Sequence, residues 1–162
     1  MDPDVWGPSA WALFHSLASN KIPHSLSEYK EFFMSLRYVL PCCTCRDNYS
    51  GHLAALALPK TVEEMPVWVV KLHNRVNKMK GKPIYKGVYK GTTDIWIFLN
   101  AIVSTHVYSK TNKADPKEVE ALTTFWTFLC PQMDTKKLDV TDRQAMKAWV
   151  HDLEKSYCFK DA

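Results

Sequence analysis

Apolar residues recur at three- and four-residue intervals through most of this chain, and this periodicity constrains its fold more than any other feature. Such spacing places the apolar side chains on one face of an α-helix. The nine prolines mostly fall where such segments would begin or end, and there are five glycines. Strand and helix patterns do not alternate, and no internal repeat is visible. The sequence therefore predicts an all-α protein.

Prolines and polar caps divide the chain into predicted helices. Ser27 is a good N-cap for the second helix, and Thr61 is a plausible cap for the fourth. Residues 82–85 form either a loop or a short helix. Helices are predicted over 8–19, 27–40, 42–57, 61–81, 93–109, 116–130 and 142–157.

The 162 residues fit one domain, or one small domain with an extension. Glycines between 87 and 91 mark a break, so we expect a helical bundle over 1–87 and a helical C-terminal extension over 88–162. No stretch approaches the roughly 20 apolar residues that a membrane-crossing helix needs, and the acidic N-terminus lacks a secretory leader. These features predict a cytoplasmic protein without a membrane partner.

The net charge of +4 is mild. The densest basic stretch runs from Lys71 to Lys90. This stretch is consistent either with a solvated helix face and loop or with a site for an anionic cofactor tail. A nucleic-acid footprint is normally more basic and more clustered, so no nucleic-acid partner is predicted.

Cys42 and Cys45 follow a helix break at Pro41. Two thiols separated by two residues at a helix start can close a small disulfide without distorting the backbone. The exposed N–H groups of the first helical turn and the adjacent Arg46 favour a thiolate. Without a secretory leader, cysteines are more often catalytic or metal-binding than structural. The pair therefore indicates redox chemistry.

Other functions of the cysteines fit the sequence less well than redox chemistry. A zinc site needs about four ligands, whereas Cys130 and Cys158 form no second pair and His52 is expected at the surface, so no metal is predicted. A thioredoxin-type enzyme needs a βαβ context that this sequence lacks. A non-enzymatic helical interaction or zinc module stays an alternative. Cys43 is either a bystander or a competitor in disulfide exchange, and Cys130 and Cys158 are expected to be unpaired.

Two polar pairs lie at helical spacing on separate segments. Trp11 and His15 are four residues apart, as are His73 and Asn77, so each pair shares a helix face. A lone polar residue on an apolar face is usually a satisfied core residue. Two such pairs, with a cysteine pair on a third helix, point to a common cavity, because buried polar groups need partners. A planar ligand with polar groups would supply them.

Three motifs occur in order along the chain. The first is WGPSAWALFH over residues 6–15. The second is PCCTC over 41–45, followed by Asn48 and Tyr49. The third is Trp68, then HNRVN over 73–77 and KPIY over 82–85. Together they resemble the Erv/ALR family of FAD-linked sulfhydryl oxidases, and the short first motif resembles members encoded by large cytoplasmic DNA viruses.

The resemblance implies a four-helix bundle plus a short fifth helix around FAD, usually as a homodimer. It implies that Cys45 lies against the flavin while Cys42 exchanges with protein thiols or a thiol–disulfide relay protein, with oxygen reduced to hydrogen peroxide. As a viral protein it would lie in the host cytoplasm or the virion. The cofactor contacts it implies are Trp11, His15, Asn48, His73, Asn74, Val76, Asn77, Lys82 and Tyr85.

The chain departs from the family pattern in several places. Asn48 stands where the family usually has His, and an amide can still hydrogen-bond the cofactor. Val70 and Gly87 stand where many relatives have a structural disulfide. The C-terminal half has no assigned match, and its apolar stripes (Trp96, Leu99, Val103 and His106, then Phe125, Trp126 and Leu129) are expected to dock on the bundle or form a dimer interface.

Overall fold

The structure is a computed structural model, and it describes residues 1–19, 23–87, 94–129 and 134–155. Over these ranges the chain forms seven α-helices, two 3-10 turns and no strand, which confirms the all-α prediction. The 3-10 turns span Val62–Glu64 and Thr135–Lys137. The helices are α1 (Pro3–Ala18), α2 (Leu26–Val39), α3 (Cys43–Ala55), α4 (Met65–Met79), α5 (Trp96–Thr105), α6 (Pro116–Leu129) and α7 (Arg143–Lys155).

Side-chain caps set the starts of the first two helices, and both differ from the sequence-based expectation. The Asp2 carboxylate accepts the N–H of Asp4 at 2.9 Å, so α1 begins at Pro3 and Pro8 lies inside the helix. Ser25, rather than Ser27, caps α2. The Ser25 hydroxyl accepts the N–H of Glu28 at 3.1 Å, and the Glu28 carboxylate accepts the N–H of Ser25 at 3.1 Å.

The turn between α2 and α3 places the cysteines at a helix start. Leu40 leaves the helical region with φ −52° and ψ 135°, as expected for a residue before proline. Cys42 is extended and is the N-cap of α3. After α4, residues 82–86 form a loop and not a short helix. Gly81 and Gly87 on either side of this loop have positive φ values of 67° and 86°, where glycine is favoured.

The helices that follow residue 87 pack on those that precede it. Helix α5 contacts α1, α6 contacts α2, and α7 contacts α5. The Phe98 ring lies 5.6 Å from Phe14, and the Phe125 ring lies 5.2 Å from Phe32. Trp96 is half-buried against the core, and the other members of the predicted stripes are buried: Leu99, Val103, His106, Phe125, Trp126 and Leu129. Within this chain the stripes are therefore packing surfaces. A division at residue 87 stays a prediction.

A polar contact also joins the C-terminal helices to the end of α2. The Nε2 of buried His106 donates to the carbonyl of Val39 at 2.9 Å. The Glu118 carboxylate pairs with Nδ1 of His106 and accepts the hydroxyl of Tyr108 at 2.6 Å. This contact holds the last turn of α2, immediately before the cysteines.

None of the helices in the described ranges has the length and apolar character required to cross a membrane. Within the same ranges, no group of three or more His, Cys, Asp and Glu side chains is arranged to hold a metal ion.

Candidate active site

Helices α1, α3 and α4 enclose a cavity of about 390 Å³, within the size range of small-molecule sites. Most of its wall is apolar, and four aromatic side chains contribute to it: Trp6, Trp11, Phe14 and Tyr49. The polar part of the wall comprises Cys42, Thr44, Cys45, Asn48, His52, His73, Asn77, Lys80 and Lys82. Such a cavity suits a flat, largely apolar ligand that carries a few polar groups.

Both thiols of the predicted redox pair reach this cavity. Cys42 and Cys45 are half-buried free thiols in the first turn of α3. The backbone N–H of Cys45 donates to Sγ of Cys42 at 3.2 Å. The N-terminus of α3 therefore directs a backbone N–H at the sulfur of Cys42.

The two cysteines have different surroundings. Burial raises the pKa of the Cys45 thiol to about 12, and its hydrogen bond to Cys42 and the charge of Cys42 act in the same direction. The guanidinium of Arg46 is not seen to hydrogen-bond the sulfur of either member of the pair within the described residues. Its guanidinium donates to Sγ of Cys43 at 3.1 Å and to the carbonyl of Leu40 at 3.0 Å. The guanidinium expected beside the redox pair therefore lies on Cys43, which is exposed.

Helices α1 and α4 build the opposite wall from stacked rings. The Trp11 ring lies parallel to His73, with centroids 4.0 Å apart and planes at 9°. Nε2 of His15 and Nδ1 of His73 share a hydrogen bond of 2.9 Å. Burial lowers the pKa of both histidines to about 4, so both imidazoles are neutral near pH 7. This wall is flat, rigid and uncharged.

Three of the residues expected at the cofactor contact His73 or one another and do not line the cavity. His15, Asn74 and Tyr85 are absent from the cavity lining. The Tyr85 ring packs on His73 at 4.7 Å and on His15 at 4.6 Å. Asn74 donates to the Tyr85 carbonyl at 3.1 Å and accepts its N–H at 2.7 Å. In this structure they hold the wall and the loop after α4 in place.

The other expected residues line the cavity: Trp11, Asn48, His73, Val76, Asn77 and Lys82, together with Cys42 and Cys45. Asn77 also donates to the carbonyl of Pro83 at 3.0 Å, which fixes the loop that carries Lys82. The structure thus brings residues from all three motifs around one cavity.

Two lysines meet one carboxylate at the edge of the cavity. Nζ of Lys82 lies 2.9 Å from Oδ1 of Asp4, and Nζ of Lys80 lies 3.2 Å from the same atom. These ammonium groups hold the pKa of the Asp4 carboxyl below its usual range. Lys80 was not singled out from the sequence. The two lysines supply positive charge where an anionic group of a ligand can bind.

His52 and Trp6 are two cavity residues that the sequence analysis did not assign. The prediction that His52 lies at the surface is wrong, because it is buried and lines the cavity. Its position four residues after Asn48 would have indicated this face of α3. Among the described residues, neither Nε2 of His52 nor Nε1 of Trp6 has a hydrogen-bond partner, although both atoms are buried.

Some predictions about cysteines lie outside what the structure describes. Cys130 and Cys158 are not among the described residues, so their pairing stays a prediction. Gly87, which stands where many relatives have a cysteine, has a φ of 86°, a conformation that side chains other than glycine rarely adopt.

The comparison with family models decides how this site is classified. The sequence model of the Erv1 / Alr family matches residues 8–96. This chain belongs to the Erv1 / Alr family. The match includes all of the residues that line the cavity except Pro3, Trp6 and Gly7. The part of the chain that matches the family thus forms most of the cavity.

Several curated relatives of this Erv1 / Alr protein match about half of it. A probable FAD-linked sulfhydryl oxidase of Acanthamoeba polyphaga mimivirus is 38% identical over 90 residues, which are 51% of this chain and 63% of the relative. The mitochondrial FAD-linked sulfhydryl oxidase of Saccharomyces cerevisiae is 31% identical over 88 residues, 50% of this chain and 47% of the relative.

A putative FAD-linked sulfhydryl oxidase of Invertebrate iridescent virus 6 is 28% identical over 98 residues, 52% of this chain and 86% of the relative. The chain therefore spans less than two thirds of the mimivirus and yeast relatives. No solved structure matched the chain significantly.

Proposed function

We propose that this protein is an FAD-linked sulfhydryl oxidase that converts pairs of protein thiols into disulfides. The observation that carries the proposal is that Cys42 and Cys45 open onto the same cavity as the stacked wall of Trp11 and His73. A redox pair beside a flat aromatic site is what thiol oxidation by a planar cofactor requires. The names of the relatives support the same activity.

The residues of the cavity fit FAD. Flat walls suit an aromatic ring system. The buried nitrogens of Trp6 and His52 have no partner among the described residues, and a polar ligand would supply one. Lys80 and Lys82 at the edge of the cavity suit phosphate groups. We propose that Trp11, Asn48, His73, Val76, Asn77 and Lys82 contact the cofactor, and that His15, Asn74 and Tyr85 hold these contacts in place.

The thiol chemistry begins with the oxidised pair. A substrate thiolate attacks Sγ of Cys42, the Cys42–Cys45 bond breaks, and Cys45 leaves with the electron pair of that bond. A second substrate thiolate then attacks the substrate sulfur of the mixed disulfide. This step forms the product disulfide and releases Cys42 as a thiolate, which the N–H of Cys45 stabilises. Two substrate thiols lose two electrons and two protons, and the pair gains the electrons.

A bound FAD would supply the two-electron chemistry that links the reduced pair to oxygen, and oxygen would take up the two electrons and two protons as hydrogen peroxide. Cys45 is the member of the pair that faces this cofactor in our proposal, because Cys42 must remain open to substrate.

The proposal extends to partners and location. The substrates are protein thiols or a thiol–disulfide relay protein, and the protein works as a homodimer. The viral relatives support a location in the cytoplasm of an infected cell or in the virion.

The first test is the visible absorption spectrum of the purified protein, followed by oxygen uptake with dithiothreitol. We expect an oxidised-flavin spectrum and oxygen consumption. Cys45→Ser should lower turnover at least a hundredfold while the flavin spectrum persists. Cys43→Ser is the matched control and should keep most of the activity, because Cys43 points away from the cavity lining. A well-folded, colourless protein that takes up no added FAD would refute the proposal and favour a helical interaction module.

A further inference from the structure

His52 is a buried polar residue that has no role in the proposed thiol chemistry. It lies in α3, its side chain forms part of the cavity wall, and 7% of the residue is exposed. Its Nε2 is buried without a hydrogen-bond partner in the part of the chain that the structure describes. A buried nitrogen without a hydrogen bond lowers the stability of a folded protein, so we expect this atom to bind a partner.

The position of His52 along α3 separates it from the cysteines. Cys45, Asn48 and His52 follow each other at intervals of three and four residues, so they share the face of α3 that lines the cavity. With a rise of 1.5 Å per residue, His52 lies about 10 Å along the helix from Cys45. It therefore borders a different part of the cavity from the redox pair.

The surroundings of His52 keep its imidazole neutral. Burial lowers the pKa of His52, and the positive charge of Arg75 lowers it further. A neutral imidazole has one nitrogen that donates and one that accepts. Rotation of the ring about the Cβ–Cγ bond exchanges its two edges, so a nitrogen can turn towards a ligand while the helix stays in place.

We propose that His52 is a cofactor-binding residue whose ring nitrogen hydrogen-bonds a polar group of bound FAD. This inference rests on the proposed function and adds to it a contact that none of the three sequence motifs includes. The bound cofactor satisfies the nitrogen that is unpartnered in its absence. His52 thus increases the affinity for FAD and destabilises the FAD-free protein.

The test replaces the imidazole by an apolar side chain of similar size. In His52→Leu, we expect FAD to bind about three- to tenfold more weakly, the ratio that one net hydrogen bond contributes. The melting temperature without FAD should stay equal or rise, because no buried nitrogen remains unpartnered. Affinity is measured by fluorescence titration of FAD-free protein, and stability by thermal unfolding of the same samples.

Two further variants make the result specific. His52→Gln keeps a donor and an acceptor and should retain more FAD affinity than His52→Leu. His151→Leu makes the same change at an exposed position of α7 and should leave the affinity unchanged.

The results that would contradict the role of His52 differ from the result that would contradict the proposed function. Equal FAD affinity in wild type and His52→Leu would overturn the inference, as would equal losses in the Leu and Gln variants. A melting temperature that falls in FAD-free His52→Leu would also overturn it, since His52 would then be a structural residue. If the wild-type protein binds no FAD, the proposed function itself fails, and the inference falls with it.

Discussion

The hydrogen bond between His15 and His73 shows how single residues set the character of the cavity. The bond requires one ring nitrogen to donate and the other to accept, so two fully protonated imidazoles cannot make it. Burial is the main reason why both pKa values fall to about 4, and for His73 the neighbouring His15 lowers it further. Trp11 and Tyr85 stack on the same rings. The hydrogen bond in this wall therefore needs at least one of the two histidines to be neutral.

This arrangement predicts that the FAD-free protein loses stability in mild acid. Between the unfolded pKa of about 6.5 and the folded value of about 4, the unfolded chain binds more protons, so stability is complete above pH 6.5 and falls as the pH decreases towards 4. Between pH 7 and pH 5 these pKa values correspond to a loss of about 2 kcal/mol in the free energy of unfolding for each histidine. Because solvent screens this partly buried pair, we expect a combined loss of about 2 kcal/mol, measured by urea denaturation.

His15→Gln should reduce this pH dependence, because one of the two depressed pKa values is removed. His151→Gln, a change at an exposed histidine, should leave it as in the wild type. A free energy of unfolding that is the same at pH 7 and pH 5 would contradict the prediction.

The starts of the helices decide which side chains reach the core. In α2 the capping box of Ser25 and Glu28 fixes the first turn. Tyr29, Phe32 and Phe33 follow it directly and are fully buried. In α3 the N-cap is Cys42 itself. Its side chain accepts a backbone N–H of the first turn, so capping of the helix also places a reactive sulfur beside the helix N-terminus.

At this scale we predict different effects from two neighbouring serines. Ser25→Ala should lower the free energy of unfolding by about 1 kcal/mol, because the N–H of Glu28 loses its acceptor. Ser27→Ala should change it by less than about 0.5 kcal/mol, since Ser27 is exposed and lies within the helix. Urea denaturation of both variants measures the difference. A larger loss in Ser27→Ala than in Ser25→Ala would show that Ser27 is the cap, as the sequence first indicated.

The whole molecule is held together by aromatic rings that join its two halves. Phe98 of α5 is fully buried and contacts Trp6 and Phe14 of α1, each at 5.6 Å, and Phe125 of α6 at 6.1 Å. The N–H of Phe98 donates to the hydroxyl of Ser9 at 3.0 Å. Trp6 also lines the cavity, so α5 packs directly behind the candidate active site.

These contacts predict that the two halves unfold together. Phe98→Ala should lower the free energy of unfolding by about 3–5 kcal/mol, with far-ultraviolet circular dichroism and tryptophan fluorescence changing in one coincident transition. Ile97→Ala alters the neighbouring, exposed side chain and should have little effect. Two separate transitions, with only one of them shifted by Phe98→Ala, would support independent domains that divide near residue 87.

The sequence by itself determined the fold class, the approximate helices and the residues of the cysteine turn, because helical periodicity, prolines and caps act over a few residues. Three local motifs also indicated a common cavity, and Cys42, Cys45, Trp11, His73 and Asn77 do line it. Helices, caps and local motifs depend on residues that are close in the sequence, so they can be predicted without knowledge of the tertiary structure.

Only the tertiary structure decided what lies opposite each helix face. It placed His52 in the cavity wall, His15 and Tyr85 against each other outside the cavity lining, and Arg46 on Cys43 instead of the redox pair. It also packed Phe98 between α1 and α6. Periodicity shows which side chains share a face of a helix, but burial and hydrogen bonding depend on the residues that other helices bring to that face. Those residues are distant in the sequence, and only packing brings them together.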